Sequence, residues 1–154
     1  MDDAEAVFDL YSRPEVTQYL GSTRLMESLS DAQERLAQRI AEWEGSEYGF
    51  WAAVHKDSGR IAGASILKPL PNDTKIEVGW HVHPDFWNQG IATEMGVGAI
   101  HHGFETLGLS DIYAIVFPPN EASKRVAIKC GMAHLGQTDA YHDLTLDFFH
   151  LSRP

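Results

Sequence analysis

At 154 residues, with 44% hydrophobic and 22% charged side chains, the chain has the size and composition of one folded domain, which excludes intrinsic disorder. No run approaches the roughly 18 apolar residues of a membrane span, and the acidic start Met1-Asp2-Asp3-Ala4-Glu5-Ala6 lacks the basic and apolar regions of a signal peptide. Twelve basic against 22 acidic residues, a formal net charge of −10, argue against a nucleic-acid partner, while a negative field is compatible with a cationic substrate.

A first helix is predicted from Ala4 to Ser12, with Val7, Leu10 and Tyr11 on one face and Pro14 beyond its end. A second is predicted from Asp31 to Glu44. Ser30 followed by Gln33 reads as its capping box, and Leu36, Ile40 and Trp43 form its apolar stripe. Three strands follow, Tyr48 to His55, Ile61 to Lys68 and Lys75 to Val82, joined by segments rich in turn formers and short enough to make them antiparallel neighbours. A long helix is expected from Gly90 to Leu107, with Val97, Ile100, Phe104 and Leu107 buried and Gly108 as its C′ glycine. A strand from Ile112 to Phe117, a short helix from Glu121 to Cys130 and strands from Ala133 to Thr138 and Leu144 to Leu151 complete the chain. This order is an α/β (α+β) arrangement in a single domain over residues 1–154: a mixed central sheet, antiparallel then parallel, flanked by helices.

The most informative stretch runs from Glu77 to Glu94, ending a strand, forming a loop with a single glycine and opening the long helix. The first turn of a helix presents unpaired N–H groups and the positive end of the macrodipole, an anion site that needs no lysine. Gly90 removes a Cβ where a phosphate would approach the backbone. Ala92 is small for the same reason, and the Thr93 hydroxyl can add a hydrogen bond. The loop has neither a dinucleotide GxGxxG pattern nor a P-loop lysine.

A second segment, Val116 to Met132, sharpens this. Together the two resemble the GNAT superfamily of N-acetyltransferases, in its RimJ/RimL-type branch. The carrying residues are Glu77-x-Gly79-Trp80, then Pro84-x-x-Trp87-x-x-Gly90-x-Ala92-Thr93-Glu94, then Val116-x-Pro118-x-Asn120-x-x-Ser123-x-x-Val126-x-x-Lys129-x-Gly131-Met132. The resemblance implies a GNAT fold with a splayed strand pair and acetyl-CoA as co-substrate. It further implies that Trp87, Asn88, Gln89, Gly90, Ile91, Ala92 and Thr93 cradle the pyrophosphate. The strand end His81-Val82 would border a gap holding pantetheine, with Asn120 and Ser123 facing it. Asn120 also reads as a plain helix N-cap.

The reaction so implied is acyl transfer to a primary amine, a protein N-terminal α-amine or a small-molecule amine, by direct attack through a tetrahedral intermediate. Freeing a proton from an α-amine of pKa about 7.8 at pH 7 costs about 1 kcal/mol, against about 4.6 for a lysine of pKa about 10.4, which tilts toward low-pKa amines. Glu77 is the candidate base, Ser123 the candidate acid for the departing thiolate, and a backbone N–H near Val82 the oxyanion donor. A structural hydrogen bond to a neighbouring element is the other reading of Glu77, and His81, Tyr141, His142 and Asp143 are alternatives for proton transfer.

No metal is expected, since the eight histidines lack ligand spacing. Cys130, the only cysteine, excludes an intrachain disulfide, points to a reducing, cytoplasmic setting, and reads as a small buried side chain rather than a nucleophile. The rival reading from another class is a non-catalytic acyl-CoA-binding or sensor module. One departure from the family concerns its usual first strand, which has no counterpart ahead of the first helix here. Tyr48 to His55 should then form an apolar sheet edge, covered by a rearranged segment or by a partner subunit in a homodimer.

Overall fold

The computed structural model describes residues 3–21 and 24–154. Its helices are α1 (Ala4–Tyr11), α2 (Pro14–Thr17), α3 (Leu29–Trp43), α4 (Ile91–Glu105) and α5 (Glu121–Lys129). Its strands are β1 (Gly49–Val54), β2 (Ile61–Pro69), β3 (Ile76–Val82), β4 (Asp111–Val116), β5 (Ala133–Tyr141) and β6 (Leu144–Ser152), with a 3-10 turn at Pro84–Phe86. The six strands form one open mixed sheet in the order β1-β2-β3-β4-β6-β5. No helix among the described residues is long and apolar enough to cross a membrane.

The short turns make β1, β2 and β3 an antiparallel meander, as their length requires. Among the described residues the only parallel pair joins β3 to β4, through the α4 crossover. β6 then inserts between β4 and β5, so the strand that follows α5 lies at the far edge of the sheet. β1 forms the opposite edge, and among the described residues it pairs with β2 alone. Neighbouring β3 side chains alternate between the two layers of helices. Trp80 lies against Gly96 of α4, and His81 lies against Tyr11 of α1.

Two expectations need correction. The capping box of α3 is Ser28 with Asp31, not Ser30 with Gln33. The Ser28 hydroxyl accepts from the Asp31 N–H at 3.2 Å, and the Asp31 carboxylate accepts from the N–H groups of Ser28 and Glu27. A shorter acid at the third helical position closes the same ring, so the helix starts earlier. Pro14 lies beyond the end of α1 as expected, and it opens α2, where its missing N–H costs nothing.

The second correction concerns α4. Val97 points to solvent at 49% exposure, while Met95, Gly96, Ala99, Ile100, Gly103 and Phe104 are buried. Two glycines centre that face. A Cβ on Gly96 would stand 2.7 Å from Cys130 Sγ, and one on Gly103 would stand 2.7 Å from Ile112 Cδ1. The expected face holds at Ile100 and Phe104, with Leu107 packed partly buried against the core, and fails at Val97, because the closest approach uses residues with no side chain.

The main core lies between the sheet and α4 and α5, built from Leu67, Val78, Ile100, Phe104, Ile112 and Phe149 among others. A second cluster, Leu10, Tyr11, Val16, Met26 and Ala32, joins α1, α2 and α3.

Two alanine substitutions on α4 should move stability in opposite directions. Gly96→Ala overpacks a buried contact and should cost about 1–3 kcal/mol. Gly98→Ala faces open space on the exposed side of the same helix and should add about 0.5–1 kcal/mol. Urea unfolding of the two variants reads both signs.

Candidate functional site

β3 and β4 touch at one register position, Glu77 opposite Tyr113, and part beyond it. The ladder with β2 fixes what this parting exposes. His83 N–H bonds Ala62 O at 2.8 Å, so by antiparallel alternation the odd-numbered β3 amides point to β2 and those of Trp80 and Val82 point to β4. Past Glu77 no β4 partner meets them among the described residues. The resulting V-shaped cleft has a volume of about 190 Å³ and is bordered by Glu77, His81, Trp80, Ala114, Val116, Asn120 and Ser123.

On the α4 side, the loop after β3 is tied down at two points. Trp87 Nε1 donates to Val82 O at 2.8 Å, although its ring is 44% exposed, and the 3-10 turn is held by a bond from Asp85 N–H to His83 Nδ1. Buried His83 also places Nε2 3.1 Å from Asp9 of α1. The chain then turns through positive φ at Asn88 (60°) and Gly90 (81°). Gly90 is the N-cap of α4 and offers no capping side chain, so the N–H groups of Ile91, Ala92 and Thr93 have no partner among the described residues. A Cβ on Gly90 would meet nothing within 4 Å. Open space in front of three unpaired amides at the positive end of a 15-residue helix fits a phosphate group. The role of Gly90 is thus conformational as well as spatial, since its φ lies where a Cβ is strained.

Ser123 enters from α5. Asn120 caps that helix by accepting from Ser123 N–H at 3.1 Å, so its structural role is present. Trp80 Nε1 lies 3.0 Å from Ser123 Oγ. An indole can only donate, so the serine oxygen accepts and its own proton is free to point elsewhere. Trp80 was read from the sequence only as part of a motif. The structure makes it the group that orients Ser123.

The other side of the cleft has different chemistry. Glu77, only 14% exposed, pairs with Lys68 of β2 at 3.4 Å. Burial raises the Glu77 pKa above its ordinary value, and the Lys68 charge pulls it back. The structural reading of Glu77 is thereby met, and its place at the closed end of the cleft keeps the catalytic reading open. His81 Nδ1 lies 2.8 Å from the Tyr11 hydroxyl, which Arg39 approaches at 3.5 Å. Burial, with Arg39 and Lys68 nearby, drives the His81 pKa down to about 3, so the ring is neutral. Its side chain is taken up on the α1 side, away from the start of α4.

Of the other proton-transfer alternatives, Tyr141 donates to Asp73 at 2.7 Å and is pushed up to about 12, by burial first and then by that bond. Asp143, at positive φ, lies in the turn between β5 and β6, while His142 borders the cleft beside Gly21. Cys130 is buried, and burial raises its thiol to about 11, which suits a packing role.

The chain matches the family model of the acetyltransferase (GNAT) domain over residues 1–133. It is 33% identical over 140 residues to an uncharacterised N-acetyltransferase of Bacillus subtilis, YoaA, covering 90% of this chain and 78% of that protein. Among solved structures it is similar to a ribosomal-protein-S5-alanine acetyltransferase from Vibrio fischeri, with a TM-score of 0.80 at 16% identity, covering 99% of this chain and 91% of that one. It is similar also to yncA of Salmonella typhimurium, whose structure contains acetyl-CoA, with a TM-score of 0.76 at 18% identity and coverage of 98% and 88%.

The buried neutral imidazole has a measurable consequence. An unfolded histidine takes up a proton near pH 6.5, whereas folded His81 does so only near pH 3. The unfolded state therefore binds more protons in that window, and stability falls as pH falls through it, by up to about 1.4 kcal/mol per pH unit. Urea unfolding of His81→Gln at pH 7 and pH 4.5 should show a shallower loss than the parent protein.

Proposed function

The chain belongs to the GNAT acetyltransferase family, and we propose that it carries an acetyl group from acetyl-CoA to a primary amine by direct attack. The V-shaped gap beyond Glu77 and Tyr113 carries this reading, because among the described residues it leaves the β4-facing amides of Trp80 and Val82 without strand partners between a carboxylate, Glu77, and a hydroxyl, Ser123. Acetyl-CoA supplies an activated thioester carbonyl. Within the family we assign the chain to the RimJ/RimL-type branch on its Pro84-x-x-Trp87-x-x-Gly90-x-Ala92-Thr93-Glu94 motif.

Each residue then has a task. The unpaired amides of Ile91, Ala92 and Thr93 hold the pyrophosphate, and the loop from Trp87 to Gly90 shapes the cradle. The β4-facing amides of Trp80 and Val82 serve as strand-like partners for the pantetheine arm, with the Val82 N–H as oxyanion donor. Ser123, with its oxygen engaged by Trp80, directs its proton toward the departing sulfur. Glu77 takes the ammonium proton through water, and Lys68 lowers the pKa that burial raises.

Acetyl-CoA at one hundred times its dissociation constant should stabilise the protein by about 2.7 kcal/mol. A melting curve unmoved by millimolar acetyl-CoA would overturn this reading. Stabilisation without turnover of any amine would mark a binding module instead.

Glu77→Gln and Ser123→Ala should each lower kcat by about 10²–10⁴-fold on an accepted amine, with little change in acetyl-CoA affinity. The Glu77 effect has a pH signature. Its base form is lost as pH falls through a pKa above the ordinary glutamate value, so the parent rate should drop there, while Glu77→Gln lacks that limb. A pH–rate profile that keeps the limb in Glu77→Gln would remove the base assignment.

A further inference from the structure

The negative charge of the whole chain does not describe the cleft. On the side away from the start of α4, the lining carries three cations, Arg35, Arg39 and Lys68, against one acid, Glu77. Arg35 and Arg39 stand one turn apart on α3, a helix that lies on the opposite face of the sheet from α4. Among the described residues neither has a carboxylate within 4 Å, whereas Arg13, Arg60, Lys75, Lys124 and Arg153 all do. Both arginines are half-buried, where an unpaired charge is costly.

The geometry of Arg39 says how it is held. Its guanidinium lies 4.0 Å from the centroid of the Phe50 ring and 5.0 Å from that of Tyr11. Contacts with π faces favour the cation but accept none of its in-plane N–H bonds. Apart from one long 3.5 Å approach to the Tyr11 hydroxyl, its donor edge has no partner among the described residues. Lys68 shares the Phe50 ring at 5.7 Å and is already paired with Glu77. An aromatic clamp that fixes a guanidinium while leaving its fork unused is suited to receive a planar anion in two parallel bonds.

We propose that the acceptor is an amine that also carries a carboxylate, and that Arg35 and Arg39 bind this carboxylate while the amine faces Glu77. This rests on the acetyl-transfer reading above and gives it a substrate class. It reverses the expectation from net charge, because a polycation such as spermidine would enter a cleft whose acceptor side is already positive. The shared chemistry admits two sources, a free amino acid or a peptide amino terminus followed closely by an acidic side chain.

The test is CoA release with the intact protein and three matched sets of acceptors. The sets are L-amino acids and their carboxamides, short peptides with aspartate or alanine at the second position, and spermidine. A carboxylate acceptor should exceed its uncharged counterpart by about tenfold to a hundredfold in kcat/KM, mostly through KM. The free amino acids or the aspartyl peptides will show this, which identifies the source. Arg35→Gln should remove most of the difference. Arg39→Lys, which keeps the charge and loses the fork, should remove part of it. Melting curves with acetyl-CoA check that both variants still fold and bind the co-substrate. If carboxamides or spermidine are acetylated as well as the carboxylates, or if the variants slow all acceptors equally, the carboxylate assignment is overturned while acetyl transfer stands. If acetyl-CoA neither stabilises the protein nor is consumed with any amine, the acetyl-transfer reading falls, and this one with it.

Discussion

The parting of β3 from β4 is the constraint on which the other features depend. A strand in the middle of a sheet ordinarily satisfies its backbone on both sides, and leaving polar groups unpaired inside a protein is expensive. Here a single parallel position, Glu77 with Tyr113, is enough to hold the two halves of the sheet together before they diverge. Part of the exposed backbone is satisfied by the chain itself, since Trp87 donates to the Val82 carbonyl. The remaining amides of Trp80 and Val82 line a slot that an extended ligand can complete as a strand would. Because α4 follows β3 and α5 follows β4, both helices begin at the same end of the sheet. Their positive ends therefore converge on the mouth of the slot.

Packing and chemistry are joined through Trp80. Gly96 has no side chain, so α4 approaches closely enough for the indole to lie against it, 3.1 Å from where a Cβ would stand. That position lets the indole N–H reach Ser123 on the neighbouring helix. A core contact between a glycine and an aromatic ring thus decides how a hydroxyl in the cleft presents its proton. Asn120 completes the arrangement by fixing the first turn of α5, so its cap also sets where Ser123 stands.

The two faces of the sheet hold opposite electrostatic problems. The α4 side offers unpaired backbone amides, which carry no net charge and suit an anion site in an acidic chain. The α1 and α3 side concentrates side-chain charge around Glu77. Burial raises the pKa of that carboxylate and Lys68 lowers it, while His81 stays neutral between Tyr11 and the nearby cations.

Much of this was legible in the sequence. Alternation and turn chemistry placed β1, β2 and β3, and the Trp87 to Glu94 segment declared a helix start suited to an anion, because these depend on neighbours along the chain. The spacing from Asn120 to Met132 placed α5 and its cap for the same reason. Local pattern failed where close packing replaced it: the buried face of α4 is set by Gly96 and Gly103, which carry no hydrophobic signal, and Ser28 with Asp31 starts α3 through a shorter acid than expected. The insertion of β6 between β4 and β5 was beyond any local signal. So were the meetings of Trp80 with Ser123, 43 residues apart, and Tyr11 with His81, 70 apart. The charge of the cleft shows the division most clearly. The sequence alone determined a net charge of −10, but only folding brought Arg35, Arg39 and Lys68 around Glu77, since a field acts through distances that composition does not contain.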